Sequence, residues 1–269
     1  MMEIILGESF DDYKKSSHHG SSALYDFGTM SRGDWRRKHV TAPYSSDVSK
    51  SKPITLGSAL DTLVTEPAAF DDKWAKKPAA FSVDAWVEAL EEIKAAGPIA
   101  REAIAILADG STPLYQVTLR GELEGVKVQD RPDVWIDTSA SADHGPADIT
   151  DIKYTSKIES EDDGVTAWER GFTGAREWFQ TGLRFALAKA ITGQTPTIRN
   201  LLVEQGTTSP RALVVEIPLM ILEAAERDAL ARLREIKAAV DDPHSFKDPV
   251  RFRELRLPAW VMSKLALLC

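Results

Sequence analysis

The chain has 269 residues, a formal net charge of -8 and a single cysteine, Cys269. That length buries a substantial core, and one large α/β domain fits it as well as two small ones. The lone cysteine excludes an intramolecular disulfide and any cysteine-rich zinc or iron-sulfur site, no apolar run is long enough to cross a bilayer, and Met1 to Gly7 is too short and acidic for a secretory signal, so the cytoplasm is the expected compartment.

In chain order, residues 1–53 are Ser-rich and read as an irregular arm with at most short helices near Ser21 to Met30 and Gly33 to Lys38, and residues 54–269 read as the folded domain. Between Arg32 and Lys52 the arm carries six Lys or Arg, including Arg36, Arg37 and Lys38, against two acids, with Trp35 and Tyr44 interleaved. Such a stretch is either a basic, aromatic patch suited to a nucleic-acid backbone or a solvated arm. Helices are expected at Leu56 to Val64, Val83 to Lys94 and Pro98 to Leu107, the last with Pro98 in its first turn. Strands follow at Thr112 to Leu119, Val126 to Ile136 and Ile149 to Tyr154, with a turn around His144-Gly145-Pro146. Glu159 to Gly164 reads as an exposed acidic loop. Beyond it come a helix from Trp178 to Ile191 ending near Gly193, strands at Thr197 to Glu204 and Arg211 to Ile217, and an amphipathic helix from Leu219 to Val240. The apolar stretch Leu257 to Cys269 either packs on the core or forms a subunit contact.

Two short stretches carry chemistry: Arg131-Pro132-Asp133 and Asp151-Ile152-Lys153. Strand geometry sends Asp151 and Lys153 to one face and Ile152 and Tyr154 to the other. An antiparallel return of the preceding strand would bring Asp133 alongside Asp151, so that three functional side chains converge at a sheet edge. Two aspartates and a backbone carbonyl, that of Ile152, suit Mg²⁺, which takes oxygen ligands and keeps several waters. The lysine would orient or help deprotonate an attacking water and offset charge on phosphorane oxygens. These are the parts of a magnesium-dependent phosphodiester hydrolase. Either stretch alone is as well read as a solvated strand face or a turn; their order and spacing make the pair specific. Asp137, Asp143 and Asp148 are rival acids, and alternation turns Asp148 away from Asp151. His18 and His19, in a Ser-rich segment, are either a surface pair or a reach toward phosphate or metal.

With these residues the chain resembles the PD-(D/E)XK nucleases, and within them the phage-type exonucleases similar to lambda exonuclease and exodeoxyribonuclease VIII. Leu56 to Phe70 looks like that group's early helix, and Trp178-Phe179-Gln180 falls on the helix after the lysine strand. The resemblance implies an α/β (α+β) fold with a restriction-endonuclease-like core, a central mixed β-sheet flanked by helices. It implies a deoxyribonuclease dependent on Mg²⁺, with Mn²⁺ as a substitute, that acts on double-stranded DNA ends in the 5′ to 3′ direction. The 3′ single strand would pass to an annealing protein, and the enzyme would form a homo-oligomeric ring. Asp133, Asp151 and the Ile152 carbonyl would hold the metal, Lys153 would serve the attacking water, and Gln180 would position water or phosphate. Asp61 stands where relatives carry a metal-site histidine, and is either a further oxygen ligand or an ordinary polar residue of an amphipathic helix. Arg184 stands where relatives often show a tyrosine. With Arg176 and Gln180 it forms one helical stripe that either binds phosphate or is solvated, and Arg131, Arg36, Arg37 and Lys38 are the other expected DNA contacts. An acidic net charge opposes DNA at long range, so positive charge would have to be concentrated locally. An endonuclease of the same fold and a noncatalytic DNA-binding or assembly protein are the other readings.

Overall fold

A computed structural model describes residues 2–41, 51–137, 147–156, 158, 167–172, 176–242 and 244. The expected turn at His144, the acidic loop at 159–164 and the apolar stretch at 257–269 lie outside these residues.

Two sheets organise the chain. Strands β1 (Glu3–Ile5), β3 (Thr118–Leu123) and β4 (Val126–Asp130) form an antiparallel sheet in the order β1-β3-β4. Strands β2 (Leu114–Tyr115), β5 (Val134–Asp137), β6 (Ala147–Thr155), β7 (Thr197–Glu204) and β8 (Ala212–Glu216) form a sheet in that order, with β6 and β7 parallel and the other pairs antiparallel. The fold is α+β, with a mixed sheet flanked by helices as expected.

The helices cover both faces of the larger sheet. On one, Trp135, Ala147 and Ile149 pack with α2 (Ser21–Thr29), α8 (Arg176–Thr192) and α9 (Leu219–Asp241). On the other, Val134, Ile136, Leu201, Val203, Ile152 and Tyr154 meet α4 (Lys52–Thr65), α5 (Phe70–Trp74) and α6 (Val83–Ala108). Neighbouring residues of β5 divide between the two clusters, as period-two alternation requires. Helices α8 and α9 approach closely because residue 182 is glycine, where an added Cβ would run into the Ala225 carbonyl.

Four expectations are corrected. The short helices expected near Ser21 to Met30 and Gly33 to Lys38 are present as α2 and α3 (Arg32–Arg36), but residues 2–41 are not otherwise irregular: β1 pairs with β3, α1 (Phe10–Lys15) is formed, and Ala23, Leu24, Phe27 and Trp35 lie in the core. Burial of these apolar side chains outweighs the loop-like composition. The strand expected over Val126 to Ile136 is two strands in different sheets, because Pro132 has no N–H for a ladder and the chain changes sheet there. The strand expected over Thr112 to Leu119 divides likewise, into β2 and β3. The two helices expected around Pro98 are one, α6, with Pro98 inside it. The stripe Ala89, Ile93, Ala96, Ala100 and Ile104 is buried on both sides of the proline, and that packing exceeds the roughly 3 kcal/mol that an interior proline costs.

Candidate active site

A fifth correction concerns β6, which is the central strand of the five-stranded sheet and not its edge. Its Asp151 and Lys153 project to the same side, where Lys153 Nζ lies 2.5 Å from Asp151 Oδ2. The β5–β6 register pairs Val134 with Thr150, so one step outward Asp133 stands opposite Asp151. The Ile152 N–H donates to Asp133 Oδ2 at 2.7 Å, and the Asp133 and Asp151 carboxyls are themselves in hydrogen-bond contact.

Helix α8 enters this site at an angle that grades its burial. Arg184 is deepest, 2% exposed, with Nε 2.6 Å from Asp130 Oδ2 and Nη1 3.0 Å from Asp151 Oδ1. One turn back, Gln180 Oε1 accepts from Lys153 Nζ at 3.3 Å. A further turn back, Arg176 is exposed, with its guanidinium 5.9 Å from the Tyr25 ring centre. The helical stripe seen in the sequence is real, but its members differ. Arg184 is a buried counter-ion that cannot reach a DNA phosphate, whereas Arg176 stands at the rim.

Two residues of this site carried no sequence signal. Asp130, the partner of Arg184, reads only as the end of a strand. Gln116 lies between β2 and β3 with φ 53°, in the left-handed region. Its Nε2 donates to Asp61 Oδ1 at 2.8 Å and to Asp133 Oδ1 at 3.3 Å, and its Oε1 accepts from Arg131 Nε at 2.9 Å. A polar residue between Tyr115 and Val117 in a strand-like run was the one trace of it.

The charges explain why these groups crowd together. Burial, then the charges of Asp151 and Asp61, push Asp133 well above the ordinary carboxyl range. Burial and Asp151 push Asp61 up to about 7. Burial acts the same way on Asp151, but Arg184 and Lys153 overcome it and hold that carboxyl well below its ordinary value. For Lys153, burial favours loss of the proton and Asp151 outweighs it, so its pKa is raised and the side chain is an ammonium at neutral pH. Asp61, Asp133 and Asp151 thus form an oxygen-rich set in which burial, and after it the charge of Asp151, disfavours ionisation of the other two. A hard divalent cation would relieve that repulsion and displace the proton, so the donor chemistry fits one. Among the described residues no group of three or more acidic, His or Cys side chains is placed to hold a metal ion; Mg²⁺ needs only one or two carboxylates and fills its remaining positions with water and substrate oxygens.

The site opens into a groove of about 1050 Å³. Asp61, Asp130, Asp133, Gln116 and Gln180 line its floor, and Lys14, Lys15, Lys38, Arg131 and Arg176 stand around it. Much of the wall comes from residues 10–22 and 38–40, so the N-terminal segment borders the acids. Arg131 lies beside the Phe10 and Tyr13 rings, 5.9 and 5.8 Å from their centres. Of the three basic residues expected from the arm, Lys38 lines the groove and binds Asp26 at 2.7 Å. Arg36 and Arg37 are exposed outside its lining, and Arg37 pairs with Asp34. Trp35 is buried, its Nε1 donating to the Ala23 carbonyl at 2.8 Å, and offers no stacking surface.

No protein-family model and no curated protein matches the chain. Among solved structures, a crystal structure from Eubacterium rectale, provisionally assigned as an exonuclease, superposes with a TM-score of 0.64 and 17% sequence identity, over 97% of this chain and 99% of that one. The two chains share a fold. Crystal structures of SSO0001 and of protein VC1899 from Vibrio cholerae, each 11% identical, superpose with TM-scores of only 0.27 and 0.26 and carry no argument. Among the described residues no helix is long and apolar enough to cross a membrane.

Proposed function

We propose that this protein is a nuclease, and more specifically a Mg²⁺-dependent deoxyribonuclease, with Mn²⁺ as a substitute, that acts as an exonuclease on double-stranded DNA ends. The observation that carries this reading is the chain of contacts that joins Asp151, Lys153 and Gln180 beside Asp133, whose Oδ2 is bound to the backbone N–H of Ile152, with Asp133 and Gln180 lining the groove. A shared fold with a chain provisionally assigned as an exonuclease agrees with it. Direction from 5′ to 3′, transfer of a 3′ single strand to an annealing protein during phage-type recombination, and a ring of identical subunits follow from the family resemblance alone.

In this reading Asp133 and Asp151 hold the cation, with the Ile152 carbonyl and Asp61 as further oxygen donors. A bound divalent cation supplies a more acidic water and charge neutralisation at the phosphate. Lys153, an ammonium fixed between Asp151 and Gln180, donates toward the oxygens on which negative charge grows as water attacks phosphorus and the bridging P–O bond breaks. Gln180 limits the directions in which that ammonium points. The basic residues around the groove contact backbone phosphates, so cleavage is independent of sequence.

The test is release of nucleotides from linear duplex DNA labelled at the 5′ or the 3′ end, with Mg²⁺ or with EDTA, beside a closed circular duplex. Early, Mg²⁺-dependent loss of the 5′ label with the circle intact is the expected result. Asp151→Asn and Lys153→Met should each lower the rate by roughly 10²–10⁴-fold with the fold retained. A cleaved circle would make the protein an endonuclease. Both Asp151 oxygens already contact cationic side chains, which favours a noncatalytic protein as the second reading, and DNA-end binding without release would establish it.

A further inference from the structure

The cation-holding acids reach the groove from distant parts of the chain. Asp61 comes from α4 and Asp133 from the connection between β4 and β5, 55 and 17 residues from Gln116 respectively. Nothing in the local backbone fixes their separation. Gln116 is the side chain that both of them share.

We propose that Gln116 is a positioning residue for divalent-cation binding, which holds the Asp61 and Asp133 carboxylates at the spacing a cation between them requires. The inference rests on the metal-dependent reading given above. Three observations carry it. The residue occupies left-handed backbone at φ 53°, a conformation a side chain of this size rarely adopts unless its surroundings compel it. Its backbone N–H also donates to the Asp133 carbonyl at 3.0 Å, so both ends of the residue hold the connection that carries Asp133. The amide orientation is decided by its partners: reversed, it would set its oxygen against two carboxylates and its NH₂ against the Arg131 guanidinium.

The chemistry of an amide suits the task. Asp151 is met by two cationic side chains, Lys153 and Arg184. Gln116 donates to the other two acids without adding charge, so it orders them and leaves their attraction for a cation intact. Through Oε1 it also ties them to Arg131, which lines the same groove.

The test is a Mg²⁺ titration of the protein alone, followed by thermal unfolding, together with the rate of duplex degradation as a function of Mg²⁺ concentration. Gln116→Gly is the informative variant, because it removes the side chain with its amide while glycine adopts the left-handed conformation without strain. The expected result is a roughly 10- to 100-fold rise in the Mg²⁺ concentration for half-maximal effect, in both measurements. The rate at saturating Mg²⁺ should fall far less than in Asp133→Asn. An unchanged Mg²⁺ midpoint in Gln116→Gly would overturn the positioning role while leaving the nuclease reading intact. Absence of any Mg²⁺ or Mn²⁺ response in the unsubstituted protein would overturn both. If Gln116→Gly fails to fold, Gln116→Asn, which tolerates the same backbone but is one methylene shorter, carries the same titration, and an unchanged midpoint there overturns the role equally.

Discussion

Arg184 is the side chain on which the acidic floor depends. Its guanidinium is bound on one side by Asp130 and on another by Asp151, and those two charges raise its pKa against the opposing effect of burial. Breaking a buried ion pair from one side leaves an uncompensated charge, which costs about 3–5 kcal/mol. Arg184→Met should therefore lower the unfolding free energy measured in urea by that much, whereas Arg176→Met, at the exposed rim, should leave it within about 0.5 kcal/mol. A comparable effect of the two substitutions would mean that Arg184 is not the counter-ion. At this scale the juxtaposition of Asp133, Asp151 and Lys153 was legible, because strand alternation and an antiparallel return each fix a direction from sequence alone, whereas Gln180 was singled out by the family resemblance. Asp130 and Gln116 were not legible. Their roles come from partners 54 and 55 residues away, and no local period encodes such a contact.

Among the elements, the pairing of α8 with α9 brings the site-bearing helix onto the sheet. Gly182 faces the Ala225 carbonyl and lies on α8 between Gln180 and Arg184. A methyl group there must push the helices apart, and overpacking of this kind typically costs 1–3 kcal/mol. Gly182→Ala should unfold at lower temperature and, by displacing Gln180 and Arg184 together, lose the proposed nuclease activity beyond what its stability explains; a variant as stable as the parent would show that the helices can separate freely. Most elements could be placed from the sequence, including β6, β7, α8 and α9. The misplaced boundaries all involve proline or a change of sheet. Pro132 does interrupt a strand, and its consequence is larger than a bend, because β4 and β5 belong to different sheets. Pro98 interrupts nothing, since the apolar stripe of α6 continues through it. A proline marks where hydrogen bonding must change, and tertiary packing decides what the chain does there.

At the scale of the whole molecule, the N-terminal segment is a wall of the site as well as part of the core. His19 joins the two. Its N–H donates to the Lys127 carbonyl, its own carbonyl accepts from the Gln129 N–H, and its ring lies 5.5 Å from that of Trp35. Burial, with small contributions from His39 and His18, lowers its pKa to about 4. A histidine lowered on folding binds its proton in the unfolded chain first. Stability from this group is therefore complete above about pH 6.5 and is lost as pH falls toward 4, on the order of 2–3 kcal/mol in total. His19→Gln should flatten the fall in urea midpoint between pH 7 and pH 4 relative to the parent, and parallel curves would assign the acid sensitivity to other groups. Composition concealed this arrangement, because a Ser-rich stretch ordered by contacts with β3, β4, α8 and α9 has no period of its own. The distance in sequence between Asp130 and Arg184, 54 residues, also orders events on the ribosome. The acids of the floor emerge first, and at roughly 5–20 residues per second their counter-ion follows seconds later. Until α8 has emerged, Asp130 and Asp151 lack the guanidinium that they share in the folded protein, so that pairing is completed only when α8 is available.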